Sequence, residues 1–579
     1  MKRPPASARA KPEAADGARR QLLKTMTLTV GAGVGAALPR SGVAQAGPER
    51  QAAKTTSGDD AIRARSGKAE VEIATGRIAG YLRKGIYTFK GLPYAQTTEG
   101  ANRFLPPRKP VPWVGLRSSR QYGFVCPQDK GTGRQNDEEA FMFQWNDSVE
   151  GEDCLRLNIW TPGLNDNRRR PVMVWLHGGG FTAGSGNDLP AFDGENLARR
   201  GDVVVVTLNH RLNLLGHLDL SRYADRYADS ANAGMLDIVA ALEWVRDNIA
   251  MFGGDTQRVL IFGQSGGGAK VSTLMGMPAA QGLFHRAIVQ SGSFALSSTP
   301  EKSRQLADLL LAELGITEST VDRLQRLPYA DLRRASEIVI SRANTPTGGE
   351  IDVRSVGRGL GFGPVVEGRT LPARPFGPGA PSMSARVPMI IGTTLNEFTT
   401  GLNHPEYERL SEADLAGRVE ARYPGRAQAI LAAFRRRTPQ ASAFDIWSHI
   451  ASAPVRGAAV AQARAKAALL AAPAFLYWFT WQTPILDGRP RAFHCAEIPF
   501  VFSNTDRCEN MTGGGARART LSASMADAWI EFARTGDPNH AGLPHWSPFA
   551  EATAPTLIFD DKVQVLRNPD GEELAAIGG

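Results

Sequence analysis

The run Val259-Leu260-Ile261-Phe262, leading straight into Gly263-Gln264-Ser265-Gly266-Gly267, constrains this chain more than any other stretch. Four consecutive apolar residues predict a buried strand and residues 266–277 predict a helix, so the chain must turn sharply between them. Small residues at 263 and 267 allow that turn. The elbow has a chemical use, because a serine hydroxyl is a poor nucleophile until a base removes its proton, and the turn presents Ser265 to base and substrate alike. A plain glycine-rich turn could carry the same five letters in a chain with 61 glycines. The strand before it and the helix after it give the pattern its weight.

Upstream, residues 171–176 read as a buried strand that runs into His177-Gly178-Gly179-Gly180-Phe181. Three glycines leave backbone N–H groups free to point at a ligand. In acyl transfer, negative charge develops on the carbonyl oxygen, and rigid N–H donors aimed there stabilise the transition state more than the substrate. Gly179 and Gly180, with Gly266 directly after the serine, are the expected donors. An ordinary turn is the alternative; an oxyanion loop that precedes the elbow favours the catalytic reading.

Two further blocks join these: Phe89-Lys90-Gly91-Leu92-Pro93-Tyr94-Ala95 and Glu152-Asp153-Cys154-Leu155-Arg156-Leu157-Asn158. With the four blocks in this order, most of residues 70–575 resembles the type-B carboxylesterases, the family of the para-nitrobenzyl esterases and cholinesterases. The resemblance implies an α/β-hydrolase fold, a large and mostly parallel central sheet flanked by helices. The residues agree, since strand-like runs at 203–208, 259–262, 287–290 and 387–391 alternate with helical stretches such as 233–249 and 521–534.

Such a hydrolase needs an acid and then a histidine after the serine in chain order. The strand at 387–391 exits into Gly392-Thr393-Thr394-Leu395-Asn396-Glu397-Phe398, and α/β sheets carry functional groups beyond the carboxyl ends of their strands. Glu397 is therefore the acid candidate, against the common fate of a glutamate in a surface ion pair. The family usually has aspartate before this glutamate and glycine after it, where this chain has Asn396 and Phe398. Of nine histidines, His404, His449, His494, His540 and His545 follow that strand. His494 opens His494-Cys495-Ala496-Glu497-Ile498-Pro499-Phe500 after the strand-like run 474–481, and it resembles the family's histidine block. Ser265 as nucleophile, His494 as base and Glu397 as orienting acid would cleave a small-molecule ester through an acyl-enzyme, with no metal and no organic cofactor required. The resemblance also places Ser291, in Val289-Gln290-Ser291-Gly292-Ser293, behind the triad; a serine capping a strand end is an equal alternative.

Length alone suggests three or four domains, but the functional blocks span 177–494 and must converge on one site, so residues 70–579 are expected to form one catalytic domain. The segments 301–374 and 405–466 are rich in Ala, Leu and Arg with helical periodicity in places. In the family such insertions wall the substrate gorge; a helical subdomain without a substrate role would show the same periodicity.

The N-terminus stands apart. Arg19-Arg20-Gln21-Leu22-Leu23-Lys24 precedes an apolar run at 26–38 and a small-x-small site, Ala44-Gln45-Ala46, which together resemble a twin-arginine export signal. Residues 1–46 are thus expected to be a leader read by the twin-arginine machinery, 47–69 a flexible linker, and the mature protein periplasmic or secreted. A basic tail on a cytoplasmic enzyme is the alternative. The apolar run is shorter than the roughly 20 residues that span a membrane. Residues 1–46 hold eight Lys/Arg and two Asp/Glu, so of the net charge of +9 only +3 remains beyond them. That near-neutral remainder gives no reason to infer a nucleic-acid or membrane partner, and Arg168-Arg169-Arg170 and Arg435-Arg436-Arg437 read as solvated faces.

Export would permit disulfides among the four cysteines, which allow three pairings. By the resemblance, Cys126 and Cys154 match a loop-closing pair near the gorge. Cys495 and Cys508 could form a second, or Cys495 could stay a thiol. Two other functions share these residues: hydrolysis of amides, carbamates or lactones by the same triad, and a non-catalytic binding protein of the same fold, against which the presence of Ser265, Glu397 and His494 argues.

Overall fold

The apolar runs become the centre of a large sheet. The computed structural model describes residues 61–128, 136–146, 148–293, 297–344, 359–402 and 404–578; the expected export signal lies outside them. In chain order the strands are β1 (Glu70–Ile73), β2 (Gly76–Ala79), β3 (Tyr81–Arg83), β4 (Ile86–Pro93), β5 (Leu116–Ser118), β6 (Arg156–Thr161), β7 (Arg170–Leu176), β8 (Val204–Leu208), β9 (Gly254–Gln264), β10 (Arg286–Gln290), β11 (Met389–Thr394), β12 (Ala474–Phe479), β13 (Pro555–Phe559) and β14 (Gln564–Arg567). Eleven of them form one sheet in the order β14-β13-β12-β11-β10-β9-β7-β8-β6-β4-β3, and β1-β2-β5 form a second, small one. From β8 through β7, β9, β10, β11 and β12 to β13 the pairing is parallel, and both ends of the sheet are closed by antiparallel strands. This is the α/β-hydrolase arrangement implied by the sequence.

Parallel strands joined by helical crossovers are covered on both faces, which is why these runs are apolar at every position rather than at every second one. The alternation survives in where the side chains go. Val172, Val174, Leu176, Val204, Val206, Val259 and Ile261 enter one core, with Met235, Ile238 and Leu242 of the helix Ala233–Asn248. Met173, Trp175, Val205, Leu260 and Phe262 enter the other, with Leu521, Met525 and Trp529 of the helix Gly515–Thr535. Each such side chain, fully buried, contributes about 1.5–3 kcal/mol.

The helices Glu412–Arg422, Ala427–Arg437 and the first half of Ala443–Ala467 share a core of their own, built on Leu415, Val419, Ile430, Phe434, Phe444 and Trp447. From Ser57 to Gly579 the chain packs as one compact unit. Ordered structure starts ahead of residue 70: Arg63 and Leu82 exchange backbone hydrogen bonds of 2.8 and 3.0 Å.

One of the arginine runs departs from its solvated reading. Arg168 and Arg169 are exposed, but Arg170 is buried at the start of β7 between Asp166 at 2.7 Å and Asp202 at 2.6 Å. A run of like charges is solvated only where the backbone leaves it outside, and β7 carries its first residue in. Arg435, Arg436 and Arg437 each meet a glutamate, Glu412, Glu572 and Glu573 respectively.

Candidate active site

The elbow forms where the sequence places it. β9 ends at Gln264, the helix Gly266–Leu274 begins at once, and Ser265 between them has φ 57° and ψ −125°, a strained backbone for a residue with a side chain. Its neighbours must be glycine because backbone passes through the space a side chain would fill: a Cβ on Gly267 would lie 2.0 Å from the Leu176 oxygen, and one on Gly263 would lie 2.6 Å from that same atom. Strain at Ser265 is therefore over-determined by packing of the elbow against the end of β7.

The oxyanion loop meets the elbow. A Cβ on Gly266 would fall 2.4 Å from the Gly180 nitrogen, so only glycine lets the two segments approach this closely. Gly179 and Gly180 have φ of +79° and +61°. Among the described residues the N–H groups of Gly179, Gly180 and Gly266 donate to no backbone carbonyl. Three backbone donors beside the serine suit an oxygen that becomes negative.

Glu397 and His494 come from loops after β11 and β12, and the isolated bridge between Asn396 and Phe493 draws those loops together. His494 Nδ1 lies 2.5 Å from Glu397 Oε2, and the His494 N–H donates to the Glu397 carbonyl at 2.9 Å. A carboxylate accepts, so Nδ1 carries the proton and Nε2 is left as the basic nitrogen. The other carboxylate oxygen accepts from Ser291 Oγ at 2.8 Å and from the Thr394 N–H at 3.0 Å, and the Glu397 N–H donates to Ser452 Oγ at 3.0 Å. Glu397 is thus buried and bonded on both oxygens, not a surface ion pair, and Ser291 sits behind it. His494 Nε2 is met by the Gln264 amide nitrogen at 3.1 Å.

A cavity of about 340 Å³ opens over these groups and is lined by Ser265, Glu397, His494, Gly178 and Gly179. Its walls are apolar and aromatic, from Phe143, Trp145, Leu189, Phe192, Leu402 and Phe493. Phe143 and Trp145 stack at 4.8 Å, and the Phe398 ring lies 4.1 Å from the His494 ring. Among the described residues, none in the lining comes from 301–374 or 405–466. Of the two readings of those segments, their described residues follow the helical one, packing into cores to the side, while 139–145, 183–192 and 397–402 supply the described walls.

Glu497, three residues beyond His494, is fully buried; Gln290 Nε2 donates to its Oε1 at 3.1 Å, and Oε2 has no partner among the described residues. Burial, and next the charge of Glu397, push its carboxyl up to about 7 from 4.5. It does not reach the imidazole as Glu397 does.

All four cysteines are thiols in the structure. The expected Cys126–Cys154 bridge is not formed, although both are buried and the Cys154 thiol bonds to Cys126. Cys495 donates to Gln264 Oε1 at 3.2 Å from a left-handed backbone with φ 80°, and Cys508 is buried elsewhere. No described helix is long and apolar enough to cross a membrane.

Comparison with known proteins agrees with the geometry. The model of the carboxylesterase family matches residues 67–577. A para-nitrobenzyl esterase of Bacillus subtilis is 34% identical over 512 residues, covering 86% of this chain and 96% of the relative; a phenmedipham hydrolase of Pseudarthrobacter oxydans is 32% identical over 506 residues, covering 85% and 95%. Among solved structures, an esterase of Clostridium hathewayi described as hydrolysing aliphatic aromatic polyesters superposes with a TM-score of 0.76 at 38% identity, covering 89% of this chain and 98% of that one. A Geobacillus stearothermophilus carboxylesterase superposes with 0.71 at 33%, covering 88% and 100%. With the elbow, the glycine loop and the acid–histidine pair in one cavity, this chain belongs to the carboxylesterase family and is a carboxylic ester hydrolase of the α/β-hydrolase fold.

Proposed function

We propose that this enzyme cleaves its esters through an acyl-enzyme on Ser265, with His494 as general base and acid and Glu397 holding the imidazole. The observation that carries the reading is the 2.5 Å contact between His494 Nδ1 and Glu397 Oε2 at the wall of the cavity onto which Ser265 opens. With Nδ1 tied to the carboxylate, Nε2 takes the Ser265 proton as Oγ attacks the ester carbonyl, and the imidazolium so formed is stabilised by Glu397. The carbonyl oxygen turns negative against the N–H groups of Gly179, Gly180 and Gly266. Nε2 then returns the proton to the leaving alcohol, and water repeats the steps on the acyl-enzyme. Ser291 supports the acid by donating to Oε1.

The apolar, aromatic cavity favours small esters with an apolar group at the carbonyl. The same triad would attack an amide, carbamate or lactone; a relative named phenmedipham hydrolase keeps that second reading in view, and esters with matched amides separate the two. The twin-arginine pattern supports export of the precursor, and export would let Cys126 and Cys154 join. Ser265→Ala tests the core of the reading: hydrolysis should vanish with the fold intact, and a fluorophosphonate should label Ser265 in the parent protein. An adduct on another residue, or activity persisting in the variant, would overturn it.

A further inference from the structure

Lys270 is a charged residue where none is expected. It sits in the helix that starts after Ser265, amid Gly268, Ala269 and Val271, and its side chain has no exposure to solvent. Burial lowers its ammonium from 10.5 to about 7, with no carboxylate to offset the loss. The titratable groups that feel its charge are imidazoles. His177, His210 and His217 each direct Nδ1 at a backbone carbonyl, of Gly178, Arg211 and Ala231, at 2.9, 2.8 and 3.1 Å. A carbonyl only accepts, so these nitrogens hold the protons and the rings are neutral, with burial lowering all three. A lysine so placed weakens the fold. Such a residue calls for a gain elsewhere.

Its hydrogen bond shows where. Lys270 Nζ donates to the His177 carbonyl at 2.9 Å, and His177 is the residue from which the Gly178-Gly179-Gly180 loop departs. The ammonium also lies 5.6 Å from the Phe181 ring, at the far end of that loop. A triple glycine has no side chains to hold it and the widest choice of backbone angles. Among the described residues the loop is otherwise tied by the Thr182 and Ala183 N–H groups to the Gly179 carbonyl, by His177 Nδ1 to the Gly178 carbonyl and by the Asn213 N–H to the Phe181 carbonyl. We propose that Lys270 is a positioning residue that ties the oxyanion loop to the nucleophile helix, so that the Gly179 and Gly180 donors and Ser265 move as one body. Charged or neutral, the amine keeps an N–H for the carbonyl, so the tie does not depend on its protonation. The inference rests on Ser265 and the glycine loop acting as proposed above.

Lys270→Met keeps length and volume and removes the donor. Stability and activity should then part: Tm equal to or above the parent's, kcat down about tenfold to a hundredfold, and KM within about twofold, because a loosened hole binds substrate as before but loses transition-state contact. The second-order rate at which a fluorophosphonate labels Ser265 should fall by the same factor, since the phosphoryl oxygen enters the same hole. Lys466→Met is the control. Lys466 is also fully buried and donates to carbonyls, those of Ser384 and Ala385 at 3.1 and 2.6 Å, but away from the cavity, and its removal should leave kcat unchanged. Should the Met variant not fold, Lys270→Ser takes its place; failure of both would assign Lys270 to the fold and overturn the proposal. So would a variant with the parent's kcat and labelling rate, or a loss seen only in KM. Labelling of the parent at a residue other than Ser265 would instead refute the reading on which this inference rests.

Discussion

Glu497→Gln offers a sharp test, because sequence proximity makes Glu497 a rival to Glu397 while the structure gives it another environment. Its carboxyl is pushed up to about 7 from an ordinary 4.5 by burial and by the Glu397 charge. That difference penalises the ionised form in the native state by roughly 3 kcal/mol. Below 4.5 folded and unfolded chains both hold the proton and the residue has no pH effect. As pH rises toward 7 the unfolded chain releases its proton first, so the native state loses stability; above 7 both have ionised and the loss is complete. Glutamine cannot ionise and imitates the neutral acid, including its bond with Gln290. The variant should therefore exceed the parent by about 3 kcal/mol at pH 8 and by less than about 1 kcal/mol at pH 5. Urea unfolding of both proteins at the two pH values, with equal slopes, measures the gap. A gap that does not widen with pH, or a variant less stable at pH 8, would refute the assigned environment. Hydrolysis should change little, since His494 Nδ1 donates its hydrogen bond to Glu397 and not to Glu497.

The other expectations follow from the same contacts. Glu397→Gln should leave the fold intact but hold the imidazole in the wrong tautomer, with kcat falling by up to about 10⁴; steady-state kinetics beside Glu497→Gln decides which acid serves the histidine. Phe398→Ala removes the ring 4.1 Å from His494 and enlarges the cavity, so kcat/KM should rise relative to the parent for bulkier esters, by about tenfold per added group, and fall for small ones, in a screen of graded acyl chains. Cys126 and Cys154 should be found joined by non-reducing peptide mapping of exported protein, with reduction lowering stability by about 3–4 kcal/mol. Replacing Arg19 and Arg20 together by lysine should hold the precursor in the cytoplasm, because the receptor reads guanidinium geometry and not charge alone; cell fractionation checks it.

Local chemistry was legible from the residues alone, and the reason is physical. An elbow needs glycine on both sides of Ser265 because backbone passes within 2.0 Å of where a Cβ would stand, an oxyanion loop needs bare N–H groups, and strands buried on two faces must be apolar throughout. Each demand is met by neighbours in the chain, so each leaves a mark in a few consecutive letters. Glu397 and His494 left such marks at strand exits, but the contact between them did not, because it joins two loops 97 residues apart. Tertiary structure alone decided that, among the described residues, 139–145 and 183–192 rather than the helical segments wall the cavity. It alone placed the Phe398 ring on the imidazole, left Glu497 buried without a charged partner, and carried Arg170 inside while its two neighbours stayed out. Lys270 carried no mark of its role in the sequence. Its acceptor, the His177 carbonyl 93 residues upstream, could be found only once β7 and the nucleophile helix lay side by side.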